Sequence, residues 1–183
     1  MRQLLFLALL LMHGAVSAAP GLHVDVNRSG DTYLLSARFD TSLSQCAAYR
    51  YLTDYESATR LPGILSSTAQ RQADNKVIVE RTAEERILFM RVHLHSVLEF
   101  TEQPDERLSF TQLSGDSKAF NGYWRIEPEA RGSTLYFEGS WEPDTLLPLF
   151  IIDHFAKHDL ERRFGEIARL AEEQKAKHSV ECL

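Results

Sequence analysis

The stretch Leu88-Phe89-Met90-Arg91-Val92-His93-Leu94-His95-Ser96-Val97-Leu98-Glu99-Phe100 alternates with a period of two. Its even positions, Leu88, Met90, Val92, Leu94, Ser96, Leu98 and Phe100, are almost all apolar, whereas the odd ones include Arg91, His93, His95 and Glu99. Successive side chains of a strand point to opposite faces, so the run is a strand with one dry face and one wet face. Such strands belong to an antiparallel sheet covered on one side. The same division recurs from Ile64 to Asp144, with turn residues between the segments. Phe120, Gly122, Trp124 and Ile126 oppose Asn121, Tyr123, Arg125 and Glu127. Leu135, Phe137, Gly139 and Trp141 oppose Thr134, Tyr136, Glu138 and Ser140.

Beyond Pro143-Asp144 the period changes. Ile152, Phe155, Ala156, Leu160, Phe164, Ile167, Ala168 and Ala171 recur at spacings of three and four, which predicts one long amphipathic helix over 148–176. Arg162, Arg163, Glu166 and Glu172 are assigned to its outer face. Upstream, Asn27 to Asp31 is a turn cluster joining two short extended segments, the second a strand that alternates Tyr33, Leu35, Ala37 and Phe39 with Leu34, Ser36, Arg38 and Asp40. Ser42 or Ser44 is placed to cap a short helix carrying Cys46, Ala47, Ala48, Tyr49 and Leu52. Asp54 starts a second short helix that ends before Pro62-Gly63. A large sheet with one apolar face needs a cover, and the last helix is the only element long enough to supply it. The class is therefore α+β, a curved antiparallel sheet wrapped around a long C-terminal helix.

The first residues have the three parts of a secretory signal. Arg2 is the basic start, Leu4 to Met12 the apolar centre, and Gly14-Ala15-Val16-Ser17-Ala18-Ala19 the small-residue end. The expected cut follows Ala18, leaving a single domain of residues 19–183 that works in the periplasm or is secreted. The only other strongly apolar run, Leu146 to Ile152, is too short to cross a bilayer. The formal net charge of −6 becomes −7 once Arg2 leaves with the signal. An acidic chain without a Lys/Arg cluster is a poor binder of nucleic acid, whose phosphates dominate affinity. Cys46 and Cys182 are the only cysteines, in a compartment that favours disulfides. Spacing alone leaves open an internal bridge, two free thiols or an intermolecular bond.

Tyr51-Leu52-Thr53-Asp54-Tyr55-Glu56 with Leu61-Pro62-Gly63 resembles the helix pair of the START-like, polyketide cyclase/coenzyme Q-binding superfamily. So do Phe120-Asn121-Gly122-Tyr123-Trp124-Arg125-Ile126-Glu127-Pro128 with Gly132 opening the next strand, and the Leu147-Pro148 entry into the final helix. The resemblance spans about residues 22–178. It implies a helix-grip fold, with two short helices after the first strand and an elongated apolar cavity between sheet and helix. Members include lipid carriers, quinone-binding proteins and cyclases. The quinone-binding members work at mitochondrial or cytoplasmic membranes, from which an exported chain departs.

The candidate cavity lining is the inward aromatic set Phe39, Met90, Phe100, Phe110, Phe120, Trp124, Phe137 and Trp141, with Phe155 from the helix. Ser67, Ser96 and Gln112 are the candidate polar anchors. No ionisable side chain is expected to face the cavity. His93 and His95 share a strand face, and His154 and His158 are one helical turn apart, spacings that suit metal capture. Both pairs nonetheless fall on polar faces and are assigned to solvent, with no metal or cofactor. No serine stands in a nucleophile elbow and no paired carboxylates point inward, so no catalytic residue is assigned. The expectation is a monomeric binder of a hydrophobic small molecule or lipid, with peripheral membrane contact. The alternatives are a cyclase/dehydrase-type enzyme on a similar ligand, or an interaction module using the exposed sheet face with Arg91, His93, His95, Tyr123 and Tyr136.

Overall fold

A computed structural model describes residues 21–87, 90–175, 177 and 182, without the side chains at 87, 90 and 155. The expected signal segment, Leu88 and the side chains of Met90 and Phe155 thus lie outside the described residues. In chain order come β1 (His23–Ser29), β2 (Thr32–Thr41), α1 (Gln45–Thr53), a 3-10 helix (Tyr55–Arg60) and β3 (Ile64–Ala73). Then follow β4 (Lys76–Ile87), β5 (Met90–Gln103), β6 (Arg107–Gly115), β7 (Ser117–Glu129), β8 (Gly132–Pro143) and α2 (Leu149–Glu173). All eight strands form one antiparallel sheet in the order β1-β2-β8-β7-β6-β5-β4-β3. This is the α+β helix-grip arrangement, with two strands rather than one ahead of the short helices.

The period-two pattern decides what is buried. Tyr33, Leu35, Ala37 and Phe39 of β2 are buried, as are Leu98 and Phe100 of β5 and Leu135 and Phe137 of β8. From α2, Ile152, Phe164, Ala168 and Ala171 pack into the same core. Phe110 lies 4.8 Å from Phe120 and 6.1 Å from Phe137, ring centre to ring centre, and Phe164 lies 5.1 Å from Phe137. Gly122 and Gly139 face each other across β7 and β8 and leave room for these rings. A Cβ on Gly122 would stand 2.4 Å from the Glu138 carbonyl oxygen and 3.0 Å from Phe110 Cζ.

Ser44, not Ser42, caps α1, its hydroxyl accepting from the Ala47 N–H at 3.3 Å. Asp54 stands at the start of the 3-10 helix, but its carboxylate accepts from the Ser57 hydroxyl at 2.8 Å and makes no cap bond to the backbone. Cys46 in α1 is joined to Cys182 beyond α2, with Cα atoms 6.0 Å apart. Arg163, expected on the outer face of the last helix, turns instead toward the sheet. It pairs with Glu85 of β4 and, at 2.7 Å, with Asp159. Its charge finds carboxylates on the sheet and one turn away on its own helix, which a helical-wheel reading of charge misses.

Polar clips fix α2 at both ends. Near its start, Asp153 accepts from Tyr33 Oη at 2.7 Å and Arg28 Nε at 2.8 Å. These bonds hold its carboxyl below the ordinary aspartate range. Near its end, Glu172 accepts from Thr41 Oγ1 at 2.7 Å and the Ser42 N–H at 2.6 Å, and also from the Ser42 hydroxyl. Partial burial opposes ionisation of Glu172, but the bonds from Ser42 and Thr41 outweigh it and its pKa is lowered. A carboxylate with a depressed folded-state pKa stabilises above its unfolded pKa, and that contribution disappears as pH falls through the folded value. Glu172→Gln should therefore lower the unfolding midpoint at pH 7, by an amount that shrinks as pH falls through the lowered folded-state value. Thermal melts of both proteins from pH 7 to 2.5 test this, and a constant gap across the range would contradict it.

Candidate functional site

The described residues line a half-open pocket of about 100 Å³ where the two short helices, the sheet and the end of α2 meet. The last turn of α1 contributes Tyr51 and Leu52, the 3-10 helix Tyr55, Ser57 and Ala58, and the following loop Leu61. Arg81 comes from β4 and Trp124 from β7, while Ile167, Leu170 and Gln174 close it from α2 and just beyond. Asp54 also borders it, but its carboxylate is engaged by Ser57 and Lys177.

Two of these polar groups are placed unusually. Arg81 follows Val77 and Val79 on the inward side of β4, where both valines are buried. Desolvation of its guanidinium brings its pKa down to about 10. Its hydrogen-bond partner among the described residues is Ser67 Oγ, at 3.1 Å from Nε, and no carboxylate of those residues pairs with it. Gln174 is 5% exposed and its Oε1 has no hydrogen-bond partner. The expectation that no ionisable side chain faces the interior is thus overturned. β4 alternates regularly, and Arg81 takes an inward position that its charged neighbours Glu80, Glu84, Glu85 and Arg86 disguise.

Beside the pocket, Glu102 of β5 is buried and accepts from Tyr55 Oη at 2.9 Å and Tyr49 Oη at 3.3 Å. Arg71 Nη1 reaches the same carboxylate at 3.0 Å. Burial, then the charge of Glu102, pushes the Tyr49 phenol up to about 12, and Tyr55 rises further for the same reasons. Ser67, one of the expected polar anchors, donates to the Tyr55 carbonyl at 2.7 Å and so ties the 3-10 helix to β3. Gln112 donates to the Ser117 carbonyl at 2.7 Å and Ser96 stands half-buried in β5, neither bordering the pocket.

Of the expected aromatic lining, Trp124 borders the pocket. Phe39, Phe100, Phe110 and Phe137 lie in the buried core, with Phe120 and Trp141 packed against it. Trp141 Nε1 donates to Ser117 Oγ at 2.9 Å. His93 and His95 lie on the wet sheet face, 3.4 Å from Glu84 and 2.9 Å from Glu80. His154 and His158 are exposed on α2. Among the described residues no group of three potential ligands stands close enough to hold a metal. On the outer face Arg107 lies 3.6 Å above the Tyr123 ring and Arg125 4.2 Å above Tyr136, so these rings and cations satisfy one another.

Solved structures with the same architecture share little sequence with the chain. A STAR-related lipid transfer protein from Xanthomonas axonopodis superposes with a TM-score of 0.70 at 12% identity, covering 85% of this chain and 96% of that one. Zhui aromatase/cyclase from Streptomyces gives 0.62 at 8% identity, covering 78% and 95%. The di-domain ARO/CYC StfQ of the steffimycin biosynthetic pathway gives 0.66 at 12% identity over 81% of this chain, which spans about half (52%) of that protein. No curated protein matches the chain by sequence. The family model described as polyketide cyclase/dehydrase and lipid transport matches residues 41–164, from the end of β2 into α2. By that match the chain belongs to the polyketide cyclase/dehydrase and lipid transport family, and it shares its fold with the STAR and ARO/CYC proteins.

Proposed function

We propose that the mature protein, residues 19–183, acts outside the cytoplasm and binds a hydrophobic small molecule or lipid between the sheet, the two short helices and α2. The observation that carries this reading is the pocket itself, whose walls include Leu52, Leu61, Trp124, Ile167 and Leu170. Ligand sites of this kind are mostly apolar with a few placed polar groups. Affinity then comes from apolar burial, at about 25 cal/mol per Å² before association costs. The signal-like start and the Cys46–Cys182 bond support an oxidising, extracytoplasmic setting, either periplasm or secretion.

At about 100 Å³ the pocket is smaller than the roughly 300–1,000 Å³ of sites for drug-sized ligands. A ligand of that size enters by displacing the 3-10 helix, which then acts as a gate. Native mass spectrometry of the protein purified from its own compartment, beside organic extracts of the same sample, tests the binding. A stoichiometric adduct that reappears in the extract as a lipid, quinone or polyketide supports it. A protein that is clean as purified and takes up no added lipid or polyketide refutes it. Hydrogen exchange across Tyr55–Arg60 tests the gate, which fails if no bound ligand alters it.

The cyclase/dehydrase reading draws on one observation, a desolvated cation in the pocket wall. With a pKa near 10, Arg81 stays charged at neutral pH. It therefore suits an electrostatic partner of a developing enolate better than a proton acceptor. Turnover of an added poly-β-ketone, lost in Arg81→Gln while binding persists, would move the assignment to catalysis.

A further inference from the structure

We infer that Arg81 is an anion anchor and that the ligand is an apolar acid, its carboxylate or phenolate at the guanidinium and its hydrocarbon against Leu52, Leu61, Trp124 and Ile167. This rests on the binding reading above and narrows it to a chemical class. The geometry is the argument. A guanidinium carries five donors in a planar fork that matches a carboxylate with two parallel bonds. In Arg81 one of those donors meets Ser67 Oγ, and no carboxylate of the described residues approaches the others. Asp54, an acid that lines the pocket, accepts from Ser57 and Lys177. Arg163, also turned toward the sheet, has Glu85 and Asp159, and Arg71 has the buried Glu102, so each of these cations is balanced.

Arg81 is half-buried rather than sealed off, but drawing even part of a cation out of water without a counter-ion is costly, and charges inside proteins are normally paired. The cost is recovered when a ligand supplies the anion, and it then becomes discrimination against neutral analogues. Gln174 Oε1 is a second unfilled polar position in the same wall. A hydroxyl on the ligand would satisfy it. Beyond these groups the walls offer aromatic and aliphatic carbon, which favours a hydrocarbon body over a sugar or peptide.

The test titrates the full mature protein with two acid–alcohol pairs, decanoate against decan-1-ol and 4-phenylbutyrate against 4-phenylbutan-1-ol. Calorimetry provides the readout. At least one acid should bind tenfold or more tightly than its alcohol, and the better pair distinguishes a fatty from an aromatic body. Arg81→Met should remove that preference by weakening the acid at least tenfold while sparing the alcohol. As a measurement on the unaltered protein, carboxyl-¹³C acid in the complex should titrate below the free acid, by about one pH unit or more. If an alcohol binds and its acid binds no better, or the bound acid titrates at or above its free value, the anchor assignment is overturned while the binding reading stands. If neither acid nor alcohol of either pair binds, the anchor assignment is overturned, and the mass spectrometry described above decides the binding reading separately.

Discussion

Replacing Cys46 or Cys182 by serine is expected to lower the thermal midpoint of the protein by roughly 10–20 °C. The bond joins residues 136 positions apart. Closing so long a loop removes much of the entropy of the unfolded chain, worth about 5 kcal/mol in the chain-entropy model. For a domain of this size each kcal/mol shifts the midpoint by about 2–4 °C. The bond also ties α1 to the tail beyond α2, so its loss acts on both ends of the pocket wall. Cys46→Ser, Cys182→Ser and the double substitution should all melt together, because each removes the same loop. The unaltered protein in reductant should match them. A fall of less than about 1 kcal/mol in chemical denaturation would show that the unfolded chain was already compact there.

Gly132→Ala is the second large effect, expected to cost on the order of 3 kcal/mol or more. Two penalties coincide at this position. The residue has φ +135°, a conformation that side-chain-bearing residues rarely adopt, and such strain costs about 1–3 kcal/mol. A Cβ there would also stand 2.0 Å from the Thr41 carbonyl oxygen and 2.9 Å from the Ser42 Cα. Those are backbone atoms of β2 and of the turn into α1, so relief requires moving a strand. Equilibrium denaturation should show a lower midpoint. Hydrogen exchange should show the loss concentrated along the Thr41–Ser133 end of the β2–β8 ladder. Near-unaltered stability would mean that the chain relaxes at this turn far more easily than its packing implies. Gly30→Ala is the control, since its φ is also positive but no atom lies within 4 Å of its added Cβ.

Alternation is a strong signal: it assigns Tyr33, Leu35, Ala37, Phe39, Leu98, Phe100, Leu135 and Phe137 to the inward face, and all of them are buried. The change of period after Asp144 likewise placed α2 to within a few residues. Parity tells which face a side chain takes, however, and not whether the space there is filled. The aromatic set shows this, since paired glycines at 122 and 139 let Phe110 and Phe137 sink into contact with their neighbours. The pocket is harder to foresee because it is assembled from segments far apart in the chain. Arg81 was readable in principle as the next inward position after Val79, but charge in a polar run is assigned outward by habit. Gln174 sits past the apolar stripe, where helical periodicity no longer speaks. The partner of Cys46 depends on where the last residues return to, which no local pattern encodes.

The strand order also bears on how the molecule reaches its native state. From β3 to β8 every neighbour in the sheet is a neighbour in sequence, so those pairings can zip as successive hairpins. The hairpin of β1 and β2 attaches through one seam, β2 against β8, whose nearest partners, Thr41 and Ser133, are 92 residues apart. Entropy of that closure must be spent before any contact along the seam rewards it, and non-local pairings of this sort slow folding. The seam is therefore the step expected to set the refolding rate. An oxidised chain, already cross-linked from α1 to its tail, holds the segment just after β2 near the rest of the domain while it searches. Refolding of the disulfide-bonded protein should accordingly outpace that of the reduced one, with the acceleration residing in the closing of β2 onto β8.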